Sequence, residues 1–356
     1  MHCYRLNFPQ IWRWGGSLAS VLIAASVVLA IPAHAETTTC IELQVPVSLA
    51  LFLPEDQHIY GQLCVPTSSA GRTVQLLIHG LTYSHTYWDW PYQPETYSYV
   101  KAMNAAGYAT FSIDRIGIGQ SSHPAPELIT LETNAFIVHQ LVQGLRSGAI
   151  GGQGFAKIIT VGHSYGSLTA IQEAAVGHDV DGVILSGVSH LFRLTGLVIL
   201  PPTLIPVQLD PGSTGSNPNL QNLPLLYLTT APGTRQNSFY YASNADPAVV
   251  ALDERTKATT TDTEIATVLD YQLPSLAITA PVLVVNGNKD QLFCGVLFVG
   301  CDSTLSTFNI ENFFYPSTMS YQQRFIPDAG HDINLQRNAQ LWFVIARDWT
   351  RSIVGY

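Results

Sequence analysis

The sequence predicts an α/β fold: a mostly parallel, doubly wound sheet with helices on both faces and a long insertion near its end. Three observations carry this. Short apolar runs of the buried-strand kind alternate with stretches of helical period from about residue 73 to residue 185. The alternation lapses from Leu191 to Ala280 and then resumes. A Gly-x-Ser-x-Gly run stands where a strand passes into a helix.

The elements follow in order. Residues 1–35 read as a secretory leader: Arg5 and Arg13 are basic, an apolar run covers Leu18 to Ile31, and Ala33-His34-Ala35 offers a small-residue cleavage site. An uncleaved N-terminal anchor is the alternative reading. Cys40 to Val47 and His58 to Val65 read as two strands, joined by a turn at Pro54-Glu55-Asp56. Thr73 to Ile78 is a buried strand ending at His79-Gly80, and Glu95 to Ala106 is helical up to Gly107. Tyr108 to Ile113 is the next strand. Leu131 to Arg146 places Leu131, Ala135, Val138, Leu141, Val142 and Leu145 at helical spacing. Lys157 to Val161 is a strand, Tyr165 to Val176 a helix, and Val183 to Leu185 lies in a further strand. After the insertion come strands at Pro281 to Asn286 and Tyr321 to Ile326, and an amphipathic helix near Asn338 to Ile353. Residues 36–190 and 281–356 thus form the core. Residues 191–280 are read as a cap over the carboxyl ends of the strands, where ligands bind in such sheets.

Composition narrows the function. Of 16 Lys and Arg, Arg5 and Arg13 leave with the leader, so 14 face 25 Asp and Glu. No basic cluster occurs, which excludes nucleic acid as the expected partner. Charged residues are only 12% of the chain, so much of the surface must be Ser, Thr, Asn, Gln and aromatic. No segment after the leader is apolar enough to span a bilayer; the run Leu194 to Leu209 is broken by Pro201, Pro202 and Pro206. With Cys3 in the leader, Cys40, Cys64, Cys294 and Cys301 remain, an even number that suits an oxidising compartment. Four cysteines allow three pairings, and proximity favours Cys40–Cys64 and Cys294–Cys301. No Cys-x-x-Cys pair supports a zinc site.

Gly162-His163-Ser164-Tyr165-Gly166 is the centre of the chemistry. Ser164 at a tight strand-to-helix turn projects its hydroxyl above the sheet, facing the free N–H groups of the first helical turn. A hydroxyl needs a base to become a nucleophile. Of the histidines downstream, His178 falls past the end of the helix, and no well-placed acid lies between Ser164 and His190. His331, in Asp328-Ala329-Gly330-His331-Asp332, follows a strand and is the candidate base. Asp290, in Asn286-Gly287-Asn288-Lys289-Asp290, is the candidate acid that orients it, with Asp302 as runner-up; Asp328 and Asp332 read as local loop residues. The N–H groups of Leu81 and Tyr165 are the candidate oxyanion donors, and His79 reads as a packing residue. No cofactor or metal is called for.

These motifs, together with Asp114-Arg115-Ile116-Gly117-Ile118-Gly119-Gln120-Ser121, resemble the α/β-hydrolase superfamily in its lid-bearing lipase, esterase and peptidase branch, over most of the mature chain. Ser164 departs from the branches that use an aspartate nucleophile. The resemblance implies the α/β-hydrolase fold and a secreted serine hydrolase acting on a small-molecule ester through an acyl-enzyme. Tyr83, Tyr87, Trp88, Trp90, Tyr92, Tyr97 and Tyr99 either wall the cleft or fill the core beneath the cap. With the apolar stretch Leu191 to Leu209 they favour an apolar or aromatic ester. An exopeptidase, anchored by Glu173 or a cap carboxylate, a thioesterase or lactonase, and a non-catalytic binding protein are the competing readings.

Overall fold

A computed structural model describes residues 37–67, 72–190, 200–294, 301 and 311–356. The leader, residues 191–199 of the apolar stretch, and Asp302 lie outside them. Strands β1 (Thr38–Val47), β2 (Gln57–Pro66), β3 (Thr73–Ile78), β4 (Ala109–Ile113), β5 (Lys157–His163), β6 (Gly182–Ser186), β10 (Val282–Gly287) and β11 (Tyr321–Ile326) form one sheet, in the order β1-β2-β4-β3-β5-β6-β10-β11. The pairs β1–β2 and β2–β4 are antiparallel and all others parallel. The central strands β3, β4, β5, β6 and β10 are buried almost without interruption, which explains their continuous apolar runs: helices cover both faces.

The helices are α1 (Pro94–Tyr97), α2 (Tyr99–Ala105), α3 (Leu131–Ser147), α4 (Tyr165–Gly177), α5 (Arg235–Phe239), α6 (Pro247–Thr256), α7 (Asp262–Ala266) and α8 (Gln340–Trp349). The single helix expected over Glu95 to Ala106 is two. Ser98 is extended (φ −88°, ψ 110°), and its hydroxyl accepts from the Lys101 N–H while donating to Asp89. A side chain that offers the backbone its own hydrogen bonds caps a new helix instead of continuing the old one.

The early cysteines sit directly opposite each other on β1 and β2 and are bonded, as are Cys294 and Cys301. The inserted region forms a small sheet of β7 (Leu204–Pro206), β8 (Tyr227–Thr230) and β9 (Thr260–Thr261) with helices α5, α6 and α7. It interlocks with the loop after β3: the Thr82 N–H donates to the Thr259 carbonyl and the Ala258 N–H to the Thr82 carbonyl. No helix among the described residues is long and apolar enough to cross a membrane.

Candidate active site

Ser164 joins β5 to α4 at φ 53° and ψ −120°, a conformation that strains any residue with a Cβ. Its flanking glycines are required by contact. A Cβ on Gly166 would lie 2.1 Å from the Ile78 carbonyl oxygen, and one on Gly162 would lie 2.4 Å from that of Gly166. The loop after β3 passes so close that a Cβ on Gly80 would be 3.0 Å from the Ser164 Cβ. Leu81 and Tyr165 therefore stand on either side of the serine, and among the described residues neither backbone N–H donates to another group.

His331 and Asp290 come together from loops that follow β11 and β10. His331 Nδ1 donates to Asp290 Oδ2 at 2.9 Å. The other carboxylate oxygen accepts from the N–H groups of Leu292 (2.8 Å) and Phe293 (3.2 Å). Burial opposes the charge on both partners. The His331 charge and these N–H donors nevertheless hold Asp290 below its ordinary pKa, and the Asp290 carboxylate holds His331 above its own. The His331 ring lies 4.9 Å from that of His163, and a Cβ on Gly187, after β6, would touch both rings at about 3 Å. Burial and the neighbouring His331 drive the pKa of His163 far down.

The loop after β4 braces the loop after β3. Asp114 accepts from the His85 N–H (2.8 Å), His85 Nδ1 (2.7 Å) and the Gln120 N–H (2.9 Å). A Cβ on Gly119 would lie 2.2 Å from Asp114 Oδ2, so this turn admits only glycine there. The Arg115 N–H donates to His79 Nε2 and its side chain to the His79 carbonyl, both at 3.1 Å. His79 thus packs and accepts; burial, with Arg115 beside it, lowers its pKa to about 3. The Arg115 guanidinium pairs with buried Glu264 of α7 and lies over the Tyr165 ring, 4.7 Å from its centroid.

Several expectations need correction. Asp332, read as a local loop residue, does lie in the loop after β11, but it is fully buried, accepts from the Tyr83 hydroxyl and lies 3.1 Å from His163 Nε2. The same hydroxyl oxygen lies 3.0 Å from Asp253, which Arg235 grips through two nitrogens at 2.8 and 2.9 Å. The aromatic run does not wall the cleft. Tyr83, Tyr87, Trp88, Trp90, Tyr97 and Tyr99 are all buried in the core, with Tyr99 stacked on Trp342. Burying so much ring surface is favoured wherever neighbours can enclose it. His190 is buried against Phe314, its Nδ1 2.6 Å from Glu311. Glu173 does not line the cleft either; it faces a separate hollow between α3 and α4. Exposed His178 ends α4 in the left-handed region, and Asp328 is exposed on its loop. Arg235, Asp253 and Glu264 were not singled out by sequence reasoning, and Arg115 only as a member of the Asp114 to Ser121 run. The one available signal was charge scarcity: in a chain with so few charges, Arg and Glu inside an apolar insertion invite buried pairing.

Above Ser164 lies a cavity of about 250 Å³. Its core side is Leu81, Ser164, Tyr165, Leu168, Leu292 and Phe293; the inserted region supplies Leu200, Pro201, Ile265, Ala266, Val268 and Leu269. The lining is apolar apart from the serine and the tyrosine.

Residues 75–342 match the model of the Alpha/beta hydrolase family, and the chain belongs to that family. Its fold is shared with a highly thermostable carboxyl esterase from Bacillus coagulans, at 16% identity and TM-score 0.61 over 89% of this chain and 100% of that one. A thermophilic esterase from Thermogutta terrifontis has 16% identity and TM-score 0.57 over 88% and 99%. A thioesterase domain from the curacin biosynthetic pathway has 16% identity and TM-score 0.52 over 86% and 99%. No curated protein sequence matches the chain.

Proposed function

We propose that the chain is a serine hydrolase that cleaves carboxylic esters with an apolar acyl or alcohol group through an acyl-enzyme. The observation that carries this reading is the buried His331–Asp290 pair at 2.9 Å; Phe293, stacked 5.5 Å from the His331 ring, shares an apolar cleft with a serine in strained backbone. His331 Nε2 takes the Ser164 proton as Oγ attacks the ester carbonyl. The N–H groups of Leu81 and Tyr165 hold the oxyanion of the tetrahedral intermediate. The carbon–oxygen bond to the alcohol then breaks, and His331 returns the proton to the departing oxygen. Water, activated by the same imidazole, repeats the attack and frees the acid and Ser164.

The cleft lining favours esters over peptides, because no carboxylate among the described residues stands there to anchor a substrate amine. In this reading residues 191–280 act as the cap that sets acyl-chain preference, and residues 1–35 direct export to a compartment where both disulfides persist. A fluorophosphonate probe with a panel of chromogenic esters of rising chain length, an aminoacyl anilide, a thioester and a lactone tests the proposal. Labelling with ester turnover is the expected result. Anilide turnover alone would favour the peptidase, and neither labelling nor turnover would leave a binding protein. N-terminal sequencing of exported product should begin at Glu36.

A further inference from the structure

Ser164 sits at the start of α4. Toward the opposite end of that helix, with Glu173 about 14 Å along the axis at the rise of an α-helix, lie side chains that can ligate and that ester cleavage does not use. His139 on α3, Glu173 in the last turn of α4 and Asp179 just beyond it bring a ring nitrogen and two carboxylates within 4.8 Å of one another.

Three observations distinguish this cluster from an acidic patch. Glu173 is only 1% exposed, and neither of its carboxylate oxygens has a hydrogen-bond partner among the described residues. A buried carboxylate left in that state is costly unless a cation or proton joins it. Second, a Cβ on Gly177 would lie 2.8 Å from Glu173 Oε1, 2.8 Å from His139 Nδ1 and 2.9 Å from Asp179 Oδ1. The donor atoms converge on one point, and a side chain there would fill it. Third, His139 Nδ1 lies 3.6 Å from Glu173 Oε1 and 3.1 Å from Asp179 Oδ2. Ligands of a tetrahedral zinc ion, each about 2.0–2.2 Å from the metal, stand about 3.4 Å apart, and the two spacings bracket that edge.

We propose that His139, Glu173 and Asp179 form a divalent-cation site of the zinc type that ties α3 to α4. Two carboxylates match the charge of the ion, and an imidazole suits zinc better than calcium, which prefers six to eight oxygens. The carboxyl end of α4 adds a favourable dipole. Gln143 Nε2 donates to Asp179 and orients it. The fourth position opens on a hollow lined by Glu132 and Gln172, with room for water.

The full chain, stripped with a chelator and dialysed, is titrated with zinc against a chromogenic chelator, with metal content and melting temperature read in parallel. One zinc per chain and a melting temperature that climbs with zinc are expected. Ser164→Ala should bind as wild type does. His139→Ala and Glu173→Gln should each weaken binding at least tenfold, and Gly177→Ala should do so with all three ligands intact. The His139 side chain is 36% exposed, so its variant tests the site even if Glu173→Gln fails to fold. No stoichiometric binding at millimolar zinc would overturn the proposal, as would affinity unchanged in His139→Ala. A melting temperature raised by Glu173→Gln without metal, in a protein that binds no zinc, would show that a proton neutralises Glu173 instead.

Discussion

Asp290 and Asp332 stand on the two loops that enclose His331, and both are fully buried. Their ionisation goes opposite ways. Asp290 faces an imidazole that can carry charge and two backbone N–H donors, and it stays below its ordinary pKa. Asp332 is pushed up to about 6, chiefly by burial; the charge on His331, the Tyr83 hydroxyl and Arg235 pull it back only in part. Its second neighbour is the imidazole His163, which burial keeps neutral. Asp332 adjoins His331 in sequence, yet its carboxylate serves the other ring. Partner chemistry, and not sequence proximity, separates the carboxylate that meets the His331 ring from the one that meets His163.

The predictions test that separation, and Ser164→Ala defines the floor against which it is read. Its kcat should fall about 10⁶-fold, with fluorophosphonate labelling lost; labelling equal to wild type would remove Ser164 from the mechanism. Asp290→Asn should cut kcat by about 10⁴, because the amide favours the wrong imidazole tautomer. Asp332→Asn should cost less than tenfold, and Asp302→Asn should be nearly silent. A larger loss in Asp332→Asn than in Asp290→Asn would reverse the assignment.

The disulfides sharpen the comparison, because one of them closes the Asp290 loop. From loop length, Cys40–Cys64 should stabilise by about 3.5 kcal/mol and Cys294–Cys301 by about 2.5 kcal/mol. Denaturant unfolding of the paired serine variants checks both values. Only loss of the Cys294–Cys301 bond should also lower turnover; an equal activity loss in the Cys40–Cys64 variant would break the link to Asp290. The smallest effect is on pH. In the proposed mechanism His331 must be neutral to act, and its pKa is raised, so the acid limb of kcat/KM should lie above the ordinary histidine value of about 6.5. Asp290→Asn removes the chief stabiliser of the imidazolium and should move that limb down. Asp332→Asn should move it the same way, but less.

Much of this was legible in the chain because it is local. Strand β3 has the bounds its apolar run suggested, Thr73–Ile78, and β11 likewise spans Tyr321–Ile326. The turn at Ser164 was legible because its glycines answer to steric contacts a few residues away in chain or one strand across. The helix break at Ser98 was missed because a capping hydroxyl and a solvent-facing one look alike until the partner N–H is placed.

The sequence by itself determined the chain order of strands, helices and motifs, the elbow and the position of Asp290 just after β10, since each follows from backbone preference over a handful of residues. Only the tertiary structure decided where the buried charges go. Arg115 meets Glu264 across 149 positions, Tyr83 meets Asp332 across 249, and both contacts shape the surroundings of Ser164 and His331. It also decided that the aromatic run is core and that mostly aliphatic side chains, with Tyr165 and Phe293, line the cleft. The physical reason is common to all of these. A backbone turn is a local equilibrium, whereas the cost of burying a charge or a ring depends on which distant groups arrive to surround it.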